Sequence, residues 1–271
     1  MQSVEAQGFK IPIIGLGTWE LRGRDCARLV EQAIRLGYRH IDTAQMYANE
    51  AEVGDGVRAS GRRSEVMVTT KVAHGNMAPQ DVERSVKESL GKLRIDEIDL
   101  LIIHWPNDRI PLAETLGAMA KMKQAGYVKQ LGVSNFTVKL LDEAKRATDE
   151  PLVCNQIEYH PFLDQTKVVA ATRAHGMAVV AYSPIARGSA KGNEVLERIG
   201  LAHGKSAAQV SLRWLVQQDI VVIPRTSKLA RLEENVAIFD FVLSPSEMAE
   251  VASLSHAKKR IVNLAHAPQW D

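Results

Sequence analysis

A chain of 271 residues is long enough for one large domain or two small ones, and 45% apolar with 24% charged residues is the make-up of an ordinary globular protein. A formal net charge of +2 argues against a nucleic-acid or membrane surface as a partner. The two cysteines, Cys26 and Cys154, lie far apart and fit no metal-ligand spacing; both are expected as buried thiols. Met1 to Phe9 carries no signal-peptide pattern and no apolar run is long enough to span a bilayer, so a reducing, cytoplasmic compartment is the default expectation; separately, a monomer is expected.

Short apolar runs alternate with amphipathic stretches along the chain. Strands are expected over 13–18, 38–42, 66–71, 99–104, 128–133, 153–156, 178–182 and 220–224. Helical patterns fall between and after them, over 26–36, 50–60, 79–93, 111–125, 138–147, 165–175, 206–217 and 230–238. Pro79 and Pro111 near helix starts, and Gly37, Gly126 and Gly176 just past helix ends, punctuate the pattern. The strands are apolar without strict alternation, as strands buried on both faces are. Eight βα units predict a single-domain α/β fold spanning 1–271, a closed parallel (β/α)8 TIM barrel of roughly 250 residues. Extra length around 191–203 predicts an additional helix, 244–254 a capped terminal helix, and 262–271 an irregular tail ending in Trp270 that folds over one rim. The rival open doubly wound sheet would need a third glycine after Gly15-Leu16-Gly17, where Glu20 stands.

The stretch from His40 to Gly54 organises the rest. Asp42 ends a strand, and Asn49 with Glu52 three residues on has the form of a capping box opening a helix. Between them lie an acid, Asp42, and a phenol, Tyr47. Alone they suit a turn cap and a packing residue, but polar groups recur at the carboxyl ends of other strands: Lys71, His104, Ser134-Asn135, Gln156, Tyr182 and Arg225. Barrel enzymes assemble their sites there. A lysine ammonium near Tyr47, kept charged by Asp42, would lower the phenol from its reference value of about 10 and make it a general acid. His104 could orient a carbonyl towards the same proton. No side chain donates hydride, so a nicotinamide cofactor is the implied reductant.

The motifs GLGTW (15–19), DTAQMYANE (42–50), TTK (69–71), IHWP (103–106), LGVSNF (131–136), NQIEYHP (155–161), AYSP (181–184) and IPRTSKLARLEEN (223–235) resemble the aldo-keto reductase superfamily, in its order and over nearly the whole chain. Within it the sequence is most similar to bacterial 2,5-diketo-D-gluconate reductases, including the type that reduces methylglyoxal. The resemblance implies a barrel that binds NADPH and reduces small dicarbonyls or keto-sugar acids. It makes Tyr47 the proton donor, Lys71 and Asp42 its tuning pair and His104 the carbonyl-orienting group. Ser134, Asn135 and Gln156 would hold the carboxamide and Tyr182, followed by Ser183, would stack on nicotinamide, with Gly17, Thr18 and Asp42 beside its ribose. Arg225 and Arg231, beside Thr226 and Ser227 in the cofactor site, would take the 2′-phosphate, and Glu234 and Asn235 would reach the adenine. Trp19 and Trp105 would join Tyr47 and His104 as substrate-binding walls.

Departures from the family pattern bear on the pocket. Val72-Ala73-His74 stands where relatives often carry an aromatic wall, and the loop after His104 is short, so an open site is expected. His160 is expected to be structural, and the remaining histidines show no ligand spacing, so no metal is expected. Two rival readings keep the barrel: a class I aldolase with Lys71 as Schiff-base nucleophile, or a cofactor-sensing regulatory subunit.

Overall fold

The computed structural model describes residues 2–271. Eight parallel strands form its sheet: β3 (Leu16–Gly17), β4 (His40–Asp42), β5 (Met67–Val72), β6 (Ile98–Ile103), β7 (Val128–Ser134), β8 (Leu152–Glu158), β9 (Ala178–Tyr182) and β10 (Val221–Val222), each paired with its neighbour in chain order. Parallel bridges from Ile14 to Val222 and from Gly17 to Arg225 join the first strand to the last, so the sheet closes on itself. This is the expected (β/α)8 barrel. Gly17 has a packing reason at the seam, because a Cβ there would lie 2.8 Å from the Ile223 carbonyl oxygen.

The crossover helices are α1 (Gly23–Arg35), α2 (Glu50–Ala59), α3 (Pro79–Leu93), α4 (Leu112–Gln124), α5 (Val138–Ala147), α6 (Thr166–Ala174), the additional α7 (Glu194–His203) and α8 (Ala207–Val216), followed by α9 (Leu229–Val236) and α10 (Pro245–Ser253). Their termini follow the sequence chemistry. Gly37, Gly126 and Gly176 take positive φ just past helix ends, and Ser244 with Glu247 forms a capping box that opens α10. Asn49 is a correction. It stands at the N-cap of α2 but does not cap; its buried amide donates to the carbonyls of Thr18 and Leu21 at 2.7 and 3.0 Å and accepts from the Thr43 hydroxyl at 2.7 Å. The loop that carries Tyr47 is thereby tied to the loop after β3.

Alternation along each strand separates two cores. One lies between sheet and helices; the other fills the barrel, with Met67, Leu100, Ile102, Val180, Val221 and Ile223 among its members. Continuing the inward register towards the carboxyl ends replaces apolar residues by polar ones, Met67-Thr69-Lys71 on one strand and Leu100-Ile102-His104 on the next. An element not anticipated closes the opposite end. β1 (Ser3–Ala6) and β2 (Phe9–Pro12) form an antiparallel hairpin whose Ala6 and Ile11 join the inner core. Its turn, Gln7-Gly8, takes positive φ at both residues, the two-residue hairpin geometry that a glycine there favours.

Candidate active site

Asp42 ends β4, Lys71 lies on β5, His104 follows β6, and Tyr47 closes the short turn Gln45–Tyr47 between β4 and α2. Lys71 has no exposed side-chain surface and forms an ion pair with the equally buried Asp42. Its ammonium also donates to the Thr43 carbonyl at 2.8 Å and to the Tyr47 hydroxyl at 3.4 Å. The second carboxylate oxygen of Asp42 accepts from the Gln156 amide at 2.7 Å, and the Asp42 carbonyl accepts from the Thr18 hydroxyl at 2.9 Å. The Lys71–Asp42 pair is therefore answered by hydrogen bonds on both sides, which a buried pair requires. The ring of His104 meets Tyr47 edge-on with centroids 5.5 Å apart.

Electrostatics modify one expectation. Burial, then the Asp42 charge, push the Tyr47 phenol well above its ordinary value, while burial pulls Lys71 down against the opposing pull of Asp42. The lysine charge is answered by Asp42, so it does not turn the phenol into a phenolate; Tyr47 holds its proton and remains an acid. His104 is pushed well below the ordinary imidazole value, first by burial and then by Lys71 and His266, so its ring is neutral near pH 7.

Tyr47, His104, Asp42 and Gln156 line a cleft of about 550 Å³ at the carboxyl-terminal mouth of the barrel, within the usual range of small-molecule sites. Of the residues expected there, Gly17, Thr18, Trp19, Trp105, Asn135, Tyr182 and Ser183 also line it, and so do Arg225, Thr226, Ser227, Arg231, Glu234 and Asn235 at its other end. Two do not. Lys71 is shielded behind Asp42 and Tyr47, where a carbonyl carbon cannot reach its nitrogen; this removes the Schiff-base reading. Ser134 is buried, donating to the Gln156 carbonyl at 2.8 Å and accepting from the Asn135 amide at 3.1 Å, so it positions its neighbours and does not reach the cleft. Asn135, held at φ 63°, also donates to the His104 carbonyl at 2.9 Å and accepts from the Tyr182 hydroxyl at 2.8 Å.

Sequence reasoning missed several cleft residues. Arg187, Ile185 and Gly188 come from the loop after β9, and the Arg187 guanidinium lies 4.5 Å from the Trp19 ring centroid across the cleft. Lys228, inside the basic motif already singled out, was the legible one. The tail folds over the rim as expected and supplies Val262 and Leu264, while Trp270 packs edge-on against Trp105. The site is therefore less open than the short loop after His104 implied. His74, in the place of the missing aromatic wall, stacks on His266 of the tail at 4.2 Å. His160 is structural as expected: buried, 3.1 Å from Glu158. No cluster of metal-ligating side chains occurs among the described residues, and none of their helices is long and apolar enough to cross a membrane.

The fit to a dinucleotide rests on charge and shape. Arg225, Lys228 and Arg231 line one end of the cleft and form no ion pair with described residues, as cations awaiting an anion would. At the other end lie amide groups and an aromatic ring, Tyr182, suited to a flat polar head.

The model of the Aldo/keto reductase family matches residues 13–256. Methylglyoxal reductase DkgB of Yersinia pestis is 39% identical over 267 residues, spanning 97% of this chain and 100% of the relative. Glyoxal reductase of Bacillus subtilis (strain 168) is 39% identical over 251 residues, 92% of this chain and 90% of its own. A crystal structure bearing the provisional name 2,5-diketo-D-gluconic acid reductase B superposes with a TM-score of 0.98 at 47% identity, covering 100% of this chain and 98% of that one. Aldose reductase from Schistosoma japonicum gives 0.93 at 30% identity over 98% and 96% of the two chains.

Proposed function

The chain belongs to the aldo/keto reductase family and is an oxidoreductase of the kind that generally uses NAD(P)H; within that family we propose that it reduces the carbonyl of small dicarbonyls or keto-sugar acids with NADPH. The observation that carries this reading is the Tyr47 hydroxyl, 3.4 Å from the Lys71 ammonium and flanked by the neutral ring of His104 on the floor of the cleft. When bound, the cofactor supplies hydride to the carbonyl carbon. The protein's own part is to place and protonate the oxygen. His104, neutral, offers an N–H that orients it. Tyr47, protonated, then gives up its proton as negative charge develops, and the adjacent ammonium stabilises the phenolate left behind. Asp42 holds that ammonium in place and is in turn held by Gln156.

The unpaired cations Arg225, Lys228 and Arg231 support NADPH over NADH, since a 2′-phosphate provides the anion they lack. The sugar-phosphate path would run past Thr226 and Ser227, with Glu234 and Asn235 beside the adenine. The relatives reducing methylglyoxal and glyoxal support small dicarbonyls as substrates, and an intact set of Asp42, Tyr47, Lys71 and His104 supports catalysis over a purely regulatory use. A monomer in the cytoplasm goes with this reading.

NADPH oxidation measured against methylglyoxal, glyoxal and 2,5-diketo-D-gluconate tests it directly. Turnover of at least one of them, with NADPH used in preference to NADH, is expected; no turnover of any would overturn it.

A further inference from the structure

Asn49 is fully buried and does not line the cleft, but it closes the neck of the loop that carries Tyr47. Thr43 is the first residue after β4 and Asn49 the last before α2. The Thr43 hydroxyl donates to Asn49 Oδ1 at 2.7 Å, so the two ends of the excursion are stapled together. Ala48, between Tyr47 and Asn49, takes φ 51°, and the acid stands two residues from the staple across this sharp reversal. The same staple serves Lys71. An ammonium has three N–H groups, and here they meet the Asp42 carboxylate, the Thr43 carbonyl and the Tyr47 hydroxyl. The Thr43 amide donates in turn to the carbonyl of Thr69, on the strand of Lys71, at 2.8 Å. Tyr47 and one of the three groups that hold the ammonium therefore belong to one closed loop.

Both amide protons of Asn49 go to the neighbouring loop. They meet the Thr18 and Leu21 carbonyls at 2.7 and 3.0 Å, the two ends of the turn that presents Trp19. Thr18 donates with its amide and its hydroxyl to the Asp42 carbonyl, at 3.0 and 2.9 Å. The circuit runs from Thr43 through Asn49 and Thr18 to Asp42, whose peptide bond to Thr43 closes it. One acceptor and two donors are what an asparagine side chain offers here; an aspartate of the same shape lacks the donors and a leucine lacks all three.

Other parts of the site are held by other means. Gln45 Oε1 braces the tip of the Tyr47 loop by accepting from the Ala73 amide at 2.9 Å and the Asn76 side chain at 3.0 Å. The tail is fastened by Glu158, fully buried at the end of β8, whose Oε1 accepts from the Ile261 amide at 2.6 Å and Oε2 from the Val262 amide at 2.8 Å. A change at Asn49 therefore reaches the Tyr47 side of the cleft and leaves the tail wall in place.

We propose that Asn49 is a positioning residue for the general acid: by closing the 43–49 loop it fixes the Tyr47 hydroxyl against the Lys71 ammonium, and turnover depends on it although it lies outside the cleft. The assignment rests on the reductase reading and adds a residue to it. Its basis is geometric, since displacing a reacting group by about 1 Å costs on the order of 10²-fold in rate.

The test measures NADPH oxidation by the full chain with whichever of methylglyoxal, glyoxal and 2,5-diketo-D-gluconate the wild type reduces, per folded molecule as counted by circular dichroism. Asn49→Ala is expected to lower kcat by about 10²-fold. Thr43→Val, which deletes only the donor of the staple, is expected to lower it by about 10-fold, and Thr43→Ser, which restores the hydroxyl, to bring it back to within about two-fold of wild type. Added to Tyr47→Phe, Asn49→Ala is expected to cost less than about three-fold more, because residues that act as a unit are not additive. A kcat that Asn49→Ala leaves unchanged, or a full loss repeated on top of Tyr47→Phe, is the mark of a merely structural role and overturns the assignment. Should Asn49→Ala not fold, Thr43→Val against Thr43→Ser decides, and equal kcat values overturn it. Absence of wild-type turnover with all three substrates overturns the reductase reading itself, and the assignment with it.

Discussion

Lys71 reaches the Tyr47 hydroxyl at 3.4 Å while Asp42, on the neighbouring strand, holds the same ammonium from the other side. The pairing of β4 with β5 sets Asp42 opposite Thr69, two residues before Lys71, so the acid and the base meet at the strand ends without any loop having to bring them together. In the proposed reduction the ammonium would stabilise charge after proton transfer, with the resting phenol left protonated.

Tyr47→Phe removes the transferable proton and little else. Turnover is expected to fall by about 10²–10⁴-fold, the usual worth of a positioned general acid, with the NADPH dissociation constant, read by fluorescence titration, within about two-fold of wild type. Unimpaired turnover in this variant would remove Tyr47 from the mechanism.

The pH dependence follows from the directions of the shifts. Tyr47, raised by burial, keeps its proton through the neutral range, and His104, lowered by burial, stays neutral there. Reduction should then give a kcat that is flat between about pH 6 and 8, whereas alcohol oxidation, which needs the phenolate as base, should speed up as pH rises. An acidic limb in the reduction profile near the ordinary imidazole value would show that His104 is not held neutral.

Arg231→Ala deletes one of the three unpaired cations at the far end of the cleft. The preference for NADPH over NADH, taken as a ratio of kcat/KM values, is expected to drop by about 10-fold, because a charge-assisted contact to the 2′-phosphate is worth about 1.5–3 kcal/mol. A ratio unaffected by the change would place the phosphate elsewhere.

Two glycines on helices separate close packing from backbone freedom. A Cβ at Gly56 would lie 2.4 Å from the Ala27 carbonyl oxygen, where α1 and α2 touch, so Gly56→Ala should cost about 1–3 kcal/mol of unfolding free energy. Gly91 in α3 has open space around it, and Gly91→Ala should stabilise by about 0.5–1 kcal/mol. Urea denaturation of both variants checks the opposite signs.

His40, inside the barrel 3.0 Å from the Thr69 hydroxyl, is pushed down to about 4 by burial. Above the ordinary imidazole value of about 6.5 the ring is neutral in both folded and unfolded chains; below it only the unfolded chain takes up the proton until about pH 4. Stability is therefore complete above the ordinary value and declines as pH falls, by about 2 kcal/mol from this group between pH 6.5 and 5. Denaturant midpoints at these two values, in wild type and His40→Gln, measure it: the loss should shrink in the variant.

Much of the barrel was legible because its strands are apolar on both faces and its helices carry their stop signals in the chain. The polar strand ends were legible for the same reason, as Lys71 and His104 interrupt runs that are otherwise apolar. Three things were not. The amino-terminal hairpin has strands of only four residues, too short for alternation to register, and its Gln7-Gly8 turn passed unread. Asn49 has the sequence of a cap, and only the packing of the β3 loop against it redirects its amide inwards. The direction of the Tyr47 shift depends on how deep the hydroxyl lies, and burial is a property of the assembled mouth; sequence spacing shows that a lysine is near but not that Asp42 has already neutralised it.

The tail is hooked through the amides of Ile261 and Val262, groups that every residue except proline possesses. Anchorage and side-chain identity are thereby decoupled: Val262 and Leu264 can be exchanged freely for other residues while the segment stays fastened to Glu158. Laboratory selection for new substrates has in these two positions a replaceable lining on a fixed frame, with proline at 261 or 262 the one choice that would let the frame go.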